Sequence, residues 1–550
     1  MSCIRSISNV EGDQYIYIPL ESILLARLKP IEHGHSVPPC MPLTREKILG
    51  DIDQWLNDVE TPNILWMSGN PGVGKSTIAS SLESRLTERR RARSCFFFKR
   101  GDVNLSDPAA VWRTVAFNLA QCDIKFAKNL VQVLEESTLD PGNADIALHF
   151  QVLIKETLTK SYDVDSPSST VPIIIIDALD ECDSKGSQRW TFLETLTQWE
   201  QLPRKFKLIF TGRDESFISQ KLRSISKRMP LVSGRDVNAE ANRDIRHFLE
   251  RRFKEELGRS SLPGWLGNDV LNTLTARAAG LFIWAETVVR FVREGLHERQ
   301  LQLVLHGDIG EGNHVANLYE QILKFSFPRR DDGMVKIFKL VVSTLVLAKV
   351  PLRLVDVAEI VSERESHVKF ILDGLSSVIS RSTDQCLYIG HLSFTEFICD
   401  SKRGSNQDPK WFFIDRSTWS QELAMACFRL MKDGLKFNIC DLQSSYLLND
   451  EVENLSQTIE EKISSPLFYS CRFWAAHLLD ATINSDGEIL MKEAEDFLYN
   501  RVLFWLEVMS LKKEVAAANI ALLSVSPRIR VSDVFTVAIF HKKNRYCRRT

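Results

Sequence analysis

Residues 69–77 combine residue types that can hold a phosphate. The run Gly69-Asn70-Pro71-Gly72-Val73-Gly74-Lys75-Ser76-Thr77 matches the pattern G-x-x-x-x-G-K-[ST] and lies between the apolar run ILWM and a helical segment. Glycines allow backbone conformations in which successive N–H groups face a phosphate beside the positive end of a helix. Lys75 is expected to reach the β- and γ-phosphates, and Ser76 to bind Mg²⁺. The alternative is a chance glycine-rich turn, and the flanking strand and helix argue against it.

A second segment, IIIIDALDE at residues 173–181, ends an apolar run in carboxylates. The β-branched run predicts a strand covered on both faces, and Asp177 at its end is the expected second ligand of Mg²⁺. In many P-loop ATPases a water-activating Glu follows this Asp directly, but Ala178 stands there in this chain. Hydrolysis is therefore expected to be slow or to depend on Asp180, with Glu181 as a further catalytic candidate. The alternative is that both carboxylates only cap the following helix.

Strands and helices alternate from Asn63 to about Ser233, which is typical of a three-layer α/β domain. We expect strands at 64–67, 94–99, 173–176, 207–211 and 229–232, and helices from Thr44 and after the phosphate loop. Beyond Asn238 the pattern becomes almost wholly helical. The predicted fold class is therefore α/β, with a parallel P-loop NTPase sheet followed by helical domains.

The two motifs resemble those of the NACHT family of STAND NTPases, whose second motif is four apolar residues, Asp, a small residue, an apolar residue, Asp and Glu. IIIIDALDE fits every position. The resemblance is strongest to fungal NACHT proteins and covers about Cys40 to Leu522. It includes the phrases LTREKILGDIDQWL, FFFKRGD, KLIFTGRDE, GLFIWAETVVRFV, HLSFTEFICD and CRFWAAHL. It implies a nucleotide-dependent signalling switch, an intracellular receptor of the NOD-like type in immunity or self/non-self recognition.

The resemblance also implies roles for single residues. Arg213 takes the place of the sensor arginine that touches the γ-phosphate, a contact that suits a guanidinium; otherwise it is a surface arginine. Arg45 takes the place of a residue that lines the nucleotide pocket, although Leu43 replaces the usual Gly; otherwise Arg45 is solvated at a helix start. His391 takes the place of the histidine that contacts the diphosphate in the resting state, unless it is structural. Phe282 replaces a proline that packs on adenine, which leaves base recognition open.

The pattern breaks and the resemblance together predict six segments along the chain. They are an N-terminal connector (1–42), a NACHT P-loop NTPase domain (43–240), a small helical domain (241–315), a winged-helix domain (316–405), a C-terminal helical domain (406–525) and a basic tail (526–550). No internal repeat of roughly 20 to 50 residues is visible, so a WD or other repeat sensor is not expected within this sequence.

Composition limits the classes of partner. With 550 residues the chain is too long for one hydrophobic core, and its net charge of −2 provides no overall field toward nucleic acid. Its 11 cysteines lack zinc-site spacing, and no signal-peptide or membrane-span pattern is found, which predicts reduced thiols in the cytoplasm. The expected ligands are ATP or ADP, with GTP possible, and Mg²⁺. Expected partners are other proteins, including nucleotide-dependent copies of the chain itself.

Two other functions stay open at this stage. One is a constitutive NTPase motor or a small-molecule kinase, against which the sequence has no second P-loop, no strong basic channel and no obvious lid over the phosphates. The other is a nucleotide-binding scaffold, or a truncated receptor, that no longer signals. A nucleotide-dependent change of mass would separate a switch from a scaffold.

Overall fold

The computed structural model describes residues 2–6, 15–31, 37–100, 102, 104–137, 145–163, 171–182, 187–258, 262–294, 296–306, 314–382, 384–404, 410–444, 446–447, 449–481 and 487–528. The chain divides into two compact units, with the boundary between Gln321 and Ile322. Across these ranges, no helix combines the length and the apolar character that crossing a bilayer requires.

The first unit alternates strands with helices. Its strands are β1 (Ser2–Ser6), β2 (Tyr15–Pro19), β3 (Ile64–Gly69), β4 (Arg93–Phe97), β5 (Ile173–Asp177), β6 (Lys207–Gly212) and β7 (Lys227–Leu231). Its helices are α1 (Leu20–Leu28), α2 (Glu46–Asn57), α3 (Lys75–Glu88), α4 (Val111–Cys122), α5 (Ile124–Glu136), α6 (Ile146–His149), α7 (Thr157–Ser161), α8 (Gln188–Trp199), α9 (Ser216–Leu222), α10 (Ala239–Glu256), α11 (Asn268–Ala278), α12 (Phe282–Arg293) and α13 (His297–His306). The boundary between the units falls within α14 (His314–Ser326).

Strands β3 to β7 form one parallel sheet in the order β4-β5-β6-β3-β7. Strand β6 therefore lies between β3, which leads into the phosphate loop, and β5, which ends in Asp177. The register pairs Ser68 with Gly212 and Ile176 with Phe210, so the three carboxyl ends meet at one edge. Ligand sites of parallel sheets form at this edge.

Both faces of the sheet are covered, because successive side chains of each strand point to opposite sides. On one face Leu65 and Met67 pack with the buried side chains of α2 and α3. On the other face Ile64 and Trp66 belong to a larger core that contains Trp112 of α4 and residues of α5 and α8. The predicted three-layer α/β class is confirmed.

The first 42 residues differ from the predicted connector. Helix α1 lies within them, and its Leu24 and Leu28 are buried in the larger core because their four-residue spacing places both on one helix face. The backbone N–H of Ile31 donates to Thr114 Oγ1 at 3.1 Å, and that of Cys40 donates to Ser81 Oγ at 2.7 Å. Within this segment, α1 and the described residues Ile31 and Cys40 are therefore packed on the α/β domain, and the folded part begins before Leu43.

The second unit is mostly helical. It contains α15 (Asp332–Leu347), β8 (Leu352–Arg353), α16 (Leu354–Val361), α17 (Glu365–Gly374), β9 (Ile379–Arg381), β10 (Cys386–Ile389) and α18 (Leu392–Ile398), with an antiparallel sheet in the order β8-β10-β9. Helices α19 (Arg416–Gly434), α20 (Leu455–Lys462), α21 (Ser465–Asp480), α22 (Gly487–Asn500), α23 (Val502–Leu511) and α24 (Val515–Val525) follow. Trp474 and Trp505 lie fully buried among them. Of the predicted basic tail, residues 529–550 lie outside the described residues.

Candidate phosphate and magnesium site

The phosphate loop joins the end of β3 to the start of α3, as the motif requires. Gly72 and Gly74 have φ angles of 84° and 93°, a region that L-residues with side chains adopt only with strain. A Cβ atom on Gly69 would lie 2.9 Å from the carbonyl oxygen of Leu231, so only glycine fits there without a shift. The backbone N–H groups of such a loop, together with the N-terminus of α3, form a site for an anion.

Lys75 is the first residue of α3 and lies against the loop. Its ammonium donates to the carbonyl oxygens of Gly69 at 2.8 Å and Asn70 at 3.1 Å. Desolvation lowers its pKa, and the negative charges of Asp180 and Asp177 oppose that effect. The lysine is therefore positioned at the loop, with the two acidic residues of the second motif close enough to stabilise its charge.

Asp177 lies at the end of β5 with 2% of its surface exposed. Its pKa is raised by desolvation, while hydrogen bonds from the hydroxyls of Ser76 and Thr211 oppose the rise. Thr211 Oγ1 donates to Asp177 Oδ1 at 2.6 Å and accepts from the backbone N–H of Ala178 at 2.9 Å. The structure thus brings together Ser76 and Asp177, the two predicted ligands of Mg²⁺. It adds Thr211, which belongs to neither sequence motif.

Buried Asp180 and partly exposed Arg213 form an ion pair next to these residues. Arg213 Nε lies 2.9 Å from Asp180 Oδ2, and the backbone N–H of Arg213 donates to Asp180 Oδ1 at 3.2 Å. Arg213 is therefore partly exposed and paired with the second motif, and its contact with a γ-phosphate stays a prediction. The helix-capping reading of Asp180 and Glu181 is wrong, because the next helix, α8, begins only at Gln188.

Glu181 is held in place by Arg100, which lies just beyond the end of β4. The backbone N–H of Arg100 donates to Glu181 Oε2 at 3.0 Å, and the Arg100 guanidinium donates to the backbone oxygen of Asp180 at 2.7 Å. Desolvation raises the pKa of Glu181 to about 7, against the lowering effect of the Arg100 N–H. A carboxylate that titrates near neutrality can accept a proton from water, which keeps Glu181 a catalytic candidate.

Arg45 is buried and supports the phosphate loop from behind. Only 4% of it is exposed, and its guanidinium donates to the carbonyl oxygen of Val73 at 2.6 Å. Asp244 of α10 lies 4.0 Å from the guanidinium and accepts from the Arg45 backbone N–H at 3.2 Å. The reading of Arg45 as a solvated helix-start residue is therefore wrong. Its contact is with the loop backbone.

Helix α12 reaches the same loop. The Phe282 ring lies under the Arg45 guanidinium, 4.8 Å from its carbon, and the backbone N–H of Ile283 donates to the carbonyl oxygen of Gly72 at 3.2 Å. Phe282 thus belongs to the support of the loop.

His391 lies in the second unit. It is the N-cap of α18, where its Nδ1 accepts from the backbone N–H of Ser393 at 3.1 Å and lies 2.8 Å from the Ser393 hydroxyl. This contact gives the histidine a structural role. Its predicted contact with a diphosphate stays a prediction.

Four residues of the site were not selected from the sequence: Arg100, Thr211, Asp244 and Ile283. Arg100, Thr211 and Ile283 meet the loop or the second motif, and Asp244 meets Arg45, only through the packing of separate elements. A signal existed for two of them, because Arg100 and Thr211 stand at the carboxyl ends of the predicted strands β4 and β6. Parallel strands bring such positions to the same edge.

Comparison with known families gives one match. Residues 44–213 match the family described as Nephrocystin 3, N-terminal, a range that runs from the residue before Arg45 to Arg213. A search of curated proteins gave no match. The matched range contains the phosphate loop, Asp177 and Arg213, and together with the observed sheet it supports a P-loop NTPase over this part of the chain.

The chain is also similar to solved structures, at low identity. One is a Signal Transduction ATPase with Numerous Domains (STAND) protein with a tetratricopeptide repeat sensor from Pyrococcus horikoshii, 15% identical over 90% of this chain and 66% of that chain, with a TM-score of 0.40. Another is the ORC1 protein of Aeropyrum pernix in complex with DNA, 16% identical over 68% of this chain and 94% of that chain, with a TM-score of 0.30. A third is AMPPCP-bound DnaA from Aquifex aeolicus, 10% identical over 61% and 88%, with a TM-score of 0.28. The chain thus spans about two thirds of the length of the first.

Proposed function

We propose that the chain is an ATP- and Mg²⁺-binding STAND switch, in which exchange of diphosphate for triphosphate changes its assembly with protein partners. The observation that carries the proposal is the convergence of Lys75, Ser76, Asp177 and Arg213 at one edge of the sheet, although they come from three separate segments. An anion-binding loop, a lysine and a hydroxyl–carboxylate pair are the groups that a nucleotide–magnesium complex requires.

The residues present fit both ligands. Gly69, Gly72 and Gly74 leave the loop backbone open to a phosphate, since the close approach at Gly69 and the positive φ angles exclude larger residues. Ser76 and Asp177 supply two oxygen ligands, and Mg²⁺ characteristically completes its coordination with phosphate oxygens and water. The metal would neutralise phosphate charge, while Lys75 would stabilise the β- and γ-phosphates.

Asp180 and Arg213 suit a sensor of the third phosphate. Arg213 is paired with Asp180 at the edge where the γ-phosphate would lie, and a phosphate would compete with the carboxylate for the same donors. Glu181 and Asp180 are the candidates for activating water. Because Asp180 is engaged by Arg213, we expect hydrolysis to be slow and Glu181 to be the stronger candidate.

The order of helices and strands in the second unit is the next observation that supports the proposed switch. Helix α15, strand β8, helices α16 and α17, and strands β9 and β10 follow one another as helix, strand, two helices and two strands, with the three strands in one antiparallel sheet. This order is compatible with the winged-helix segment that the family resemblance implies. We propose that His391, after β10, contacts the diphosphate in the resting form. We propose the immune or self/non-self role from the family resemblance, and the cytoplasmic location from the cysteines, which lack zinc-site spacing.

Nucleotide binding is the first property to test. Lys75→Ala and Asp177→Ala should each weaken binding of a fluorescent ATP analogue with Mg²⁺ by at least roughly tenfold, because each removes a charge that compensates phosphate or metal. Fluorescence titration measures the effect. Lys128→Ala, an exposed lysine of α5, is the control and should bind as wild type does.

The outcomes are distinct. Unchanged affinity in the Lys75→Ala and Asp177→Ala variants would contradict the proposed site. Tight binding by the wild-type chain that does not depend on Mg²⁺ would contradict the role of Asp177 alone.

A further inference from the structure

Thr211 is a fully buried residue whose hydroxyl has two partners of fixed polarity. Its Oγ1 accepts from the backbone N–H of Ala178 at 2.9 Å, and that amide can only donate. It donates to Asp177 Oδ1 at 2.6 Å, and an ionised carboxylate can only accept. The hydroxyl proton is therefore directed at Asp177, and its orientation cannot reverse without breaking both bonds.

These hydrogen bonds determine which oxygen of the Asp177 carboxylate is already occupied by a protein donor. Oδ1 is occupied by Thr211, and the Ser76 hydroxyl also bonds to the carboxylate. The backbone at Ala178 turns sharply, with φ at 55°, so the chain leaves β5 directly after Asp177 and its N–H points back at Thr211. The carboxylate plane is thus held from the neighbouring strand, β6, as well as from its own backbone.

We propose that Thr211 is a positioning residue for the magnesium site, orienting the Asp177 carboxylate so that its second oxygen faces the metal beside Ser76. The proposal rests on the nucleotide- and Mg²⁺-binding function stated above. Residues that hydrogen-bond to metal ligands commonly change metal affinity by about ten- to a hundredfold when removed.

Thr211 also connects this carboxylate with the arginine two residues later. Strand β6 carries Thr211 within the sheet and Arg213 just beyond its end, so a movement of the strand end would reach both Asp177 and Asp180. Removing the hydroxyl with an isosteric side chain isolates its contribution to the metal site, because Val has nearly the shape of Thr.

The test compares Thr211→Val, Thr211→Ala and Thr211→Ser by Mg²⁺ titration of fluorescent-ATP binding, beside titrations in EDTA. We expect the half-saturating Mg²⁺ concentration to rise roughly tenfold in the Val and Ala variants and to stay within about twofold of wild type in the Ser variant. Binding in EDTA should remain at the wild-type value in all three, since the loop and Lys75 are unchanged.

Thr195 provides a matched control. It is also fully buried, its hydroxyl accepts from Trp112 Nε1 at 3.0 Å and donates to the Phe192 carbonyl oxygen at 2.6 Å, and it lies in α8 within the core. Thr195→Val should lower the unfolding temperature without changing the Mg²⁺ requirement. This control separates loss of a buried hydroxyl from loss of a metal-positioning hydroxyl.

A wild-type Mg²⁺ requirement in either folded hydroxyl-free variant would overturn the proposal, and so would the same rise in Thr195→Val. If the Val variant does not fold, the Ala variant decides the question by the same criterion. Failure of the wild-type chain to bind nucleotide at all would instead overturn the proposed function, which keeps the two failures distinct.

Discussion

At the scale of single residues, the phosphate edge concentrates charged groups that water would normally surround. Asp177, Asp180 and Glu181 lie within one short segment, with Arg100, Arg213 and Lys75 as the compensating cations. Burial raises the pKa of Glu181 to about 7, and the neighbouring Asp180 and Asp177 charges add to the rise. Carboxylates with strongly shifted pKa values cluster at functional sites.

The Glu181 pKa predicts a pH dependence of stability. In the unfolded chain this group titrates near 4.5, so between 4.5 and about 7 the folded state holds a proton that the unfolded state has lost. The contribution of the neutral Glu181 side chain to the free energy of unfolding is therefore complete below pH 4.5 and is lost as the pH rises through 7. At about 1.4 kcal/mol per pH unit, the loss reaches up to about 3 kcal/mol.

Glu181→Gln should remove this loss, because an amide keeps an acceptor for the Arg100 N–H and carries no charge. Urea unfolding of the nucleotide- and metal-free protein at pH 5 and pH 8 measures it, since a bound cation would favour the carboxylate. Relative to wild type, the variant should gain stability on going from pH 5 to pH 8. Glu194→Gln, an exposed change on α8, should show no such gain, and an equal gain there would refute the assignment.

At the scale of elements, the phosphate loop is also held by helices other than α3, which follows it. Arg45 and Ile283 bind two of its carbonyl groups, those of Val73 and Gly72, from α2 and α12. Asp244 of α10 compensates the arginine, whose pKa is lowered by burial. The conformation of the loop therefore depends on the packing of α2, which precedes it in the sequence, and of α10 and α12, which follow the parallel sheet.

Arg45→Ala should destabilise the first unit by about 2 to 4 kcal/mol, because it leaves the Val73 carbonyl and the partly buried Asp244 carboxylate without their cation. Urea unfolding measures this effect, and nucleotide affinity should fall with it. Lys47→Ala is the control. It removes the ion pair between the exposed Lys47 and Glu240, whose Nζ and Oε2 atoms lie 3.4 Å apart, between the same two helices α2 and α10.

That control should change stability by less than about 1 kcal/mol, since exposed ion pairs contribute little. Equal effects of the two substitutions would show that Arg45 acts as a surface charge. A combined Arg45→Ala and Asp244→Ala variant should be less destabilised than the sum of the two single changes, because the pair is coupled.

At the scale of the whole molecule, a switch must bind its two nucleotides with different affinities in its two states. We expect the 62.8 kDa chain to elute as a monomer with ADP and at higher mass with a non-hydrolysable ATP analogue in size-exclusion chromatography with light scattering. Lys75→Ala should abolish the difference. His391→Ala should lower the analogue concentration that is needed, if the histidine stabilises the diphosphate form.

Equal mass with both nucleotides, each shown to be bound, would favour the scaffold over the switch. Unchanged release of ADP from His391→Ala would contradict the role of the histidine while leaving the mass difference unaffected. These two outcomes concern different parts of the proposal and can be separated in one set of samples.

The sequence by itself determined the five strands of the parallel sheet, the phosphate loop and the fold class of the first unit, but not β1 and β2. The pattern does not define every helix boundary: helical apolar spacing continues from Ala109 to Leu134, yet the chain divides there into α4 and α5. The carboxylate of Asp123 caps α5 by accepting from the N–H groups of Lys125 and Phe126. The sequence pattern around Leu24 and Leu28 does not predict helix α1, because a nine-residue helix offers too little periodicity.

Local motifs could be predicted because their physics is local. Glycines at fixed positions permit positive φ angles, and a run of four isoleucines before Asp177 can hardly be anything other than a buried strand. The partners of those motifs depend on the order of strands. Thr211 reaches Asp177 only because β6 lies between β3 and β5, and Arg45 reaches Val73 only because α2 packs behind the loop. Contacts between segments that are far apart in sequence are decided by tertiary packing.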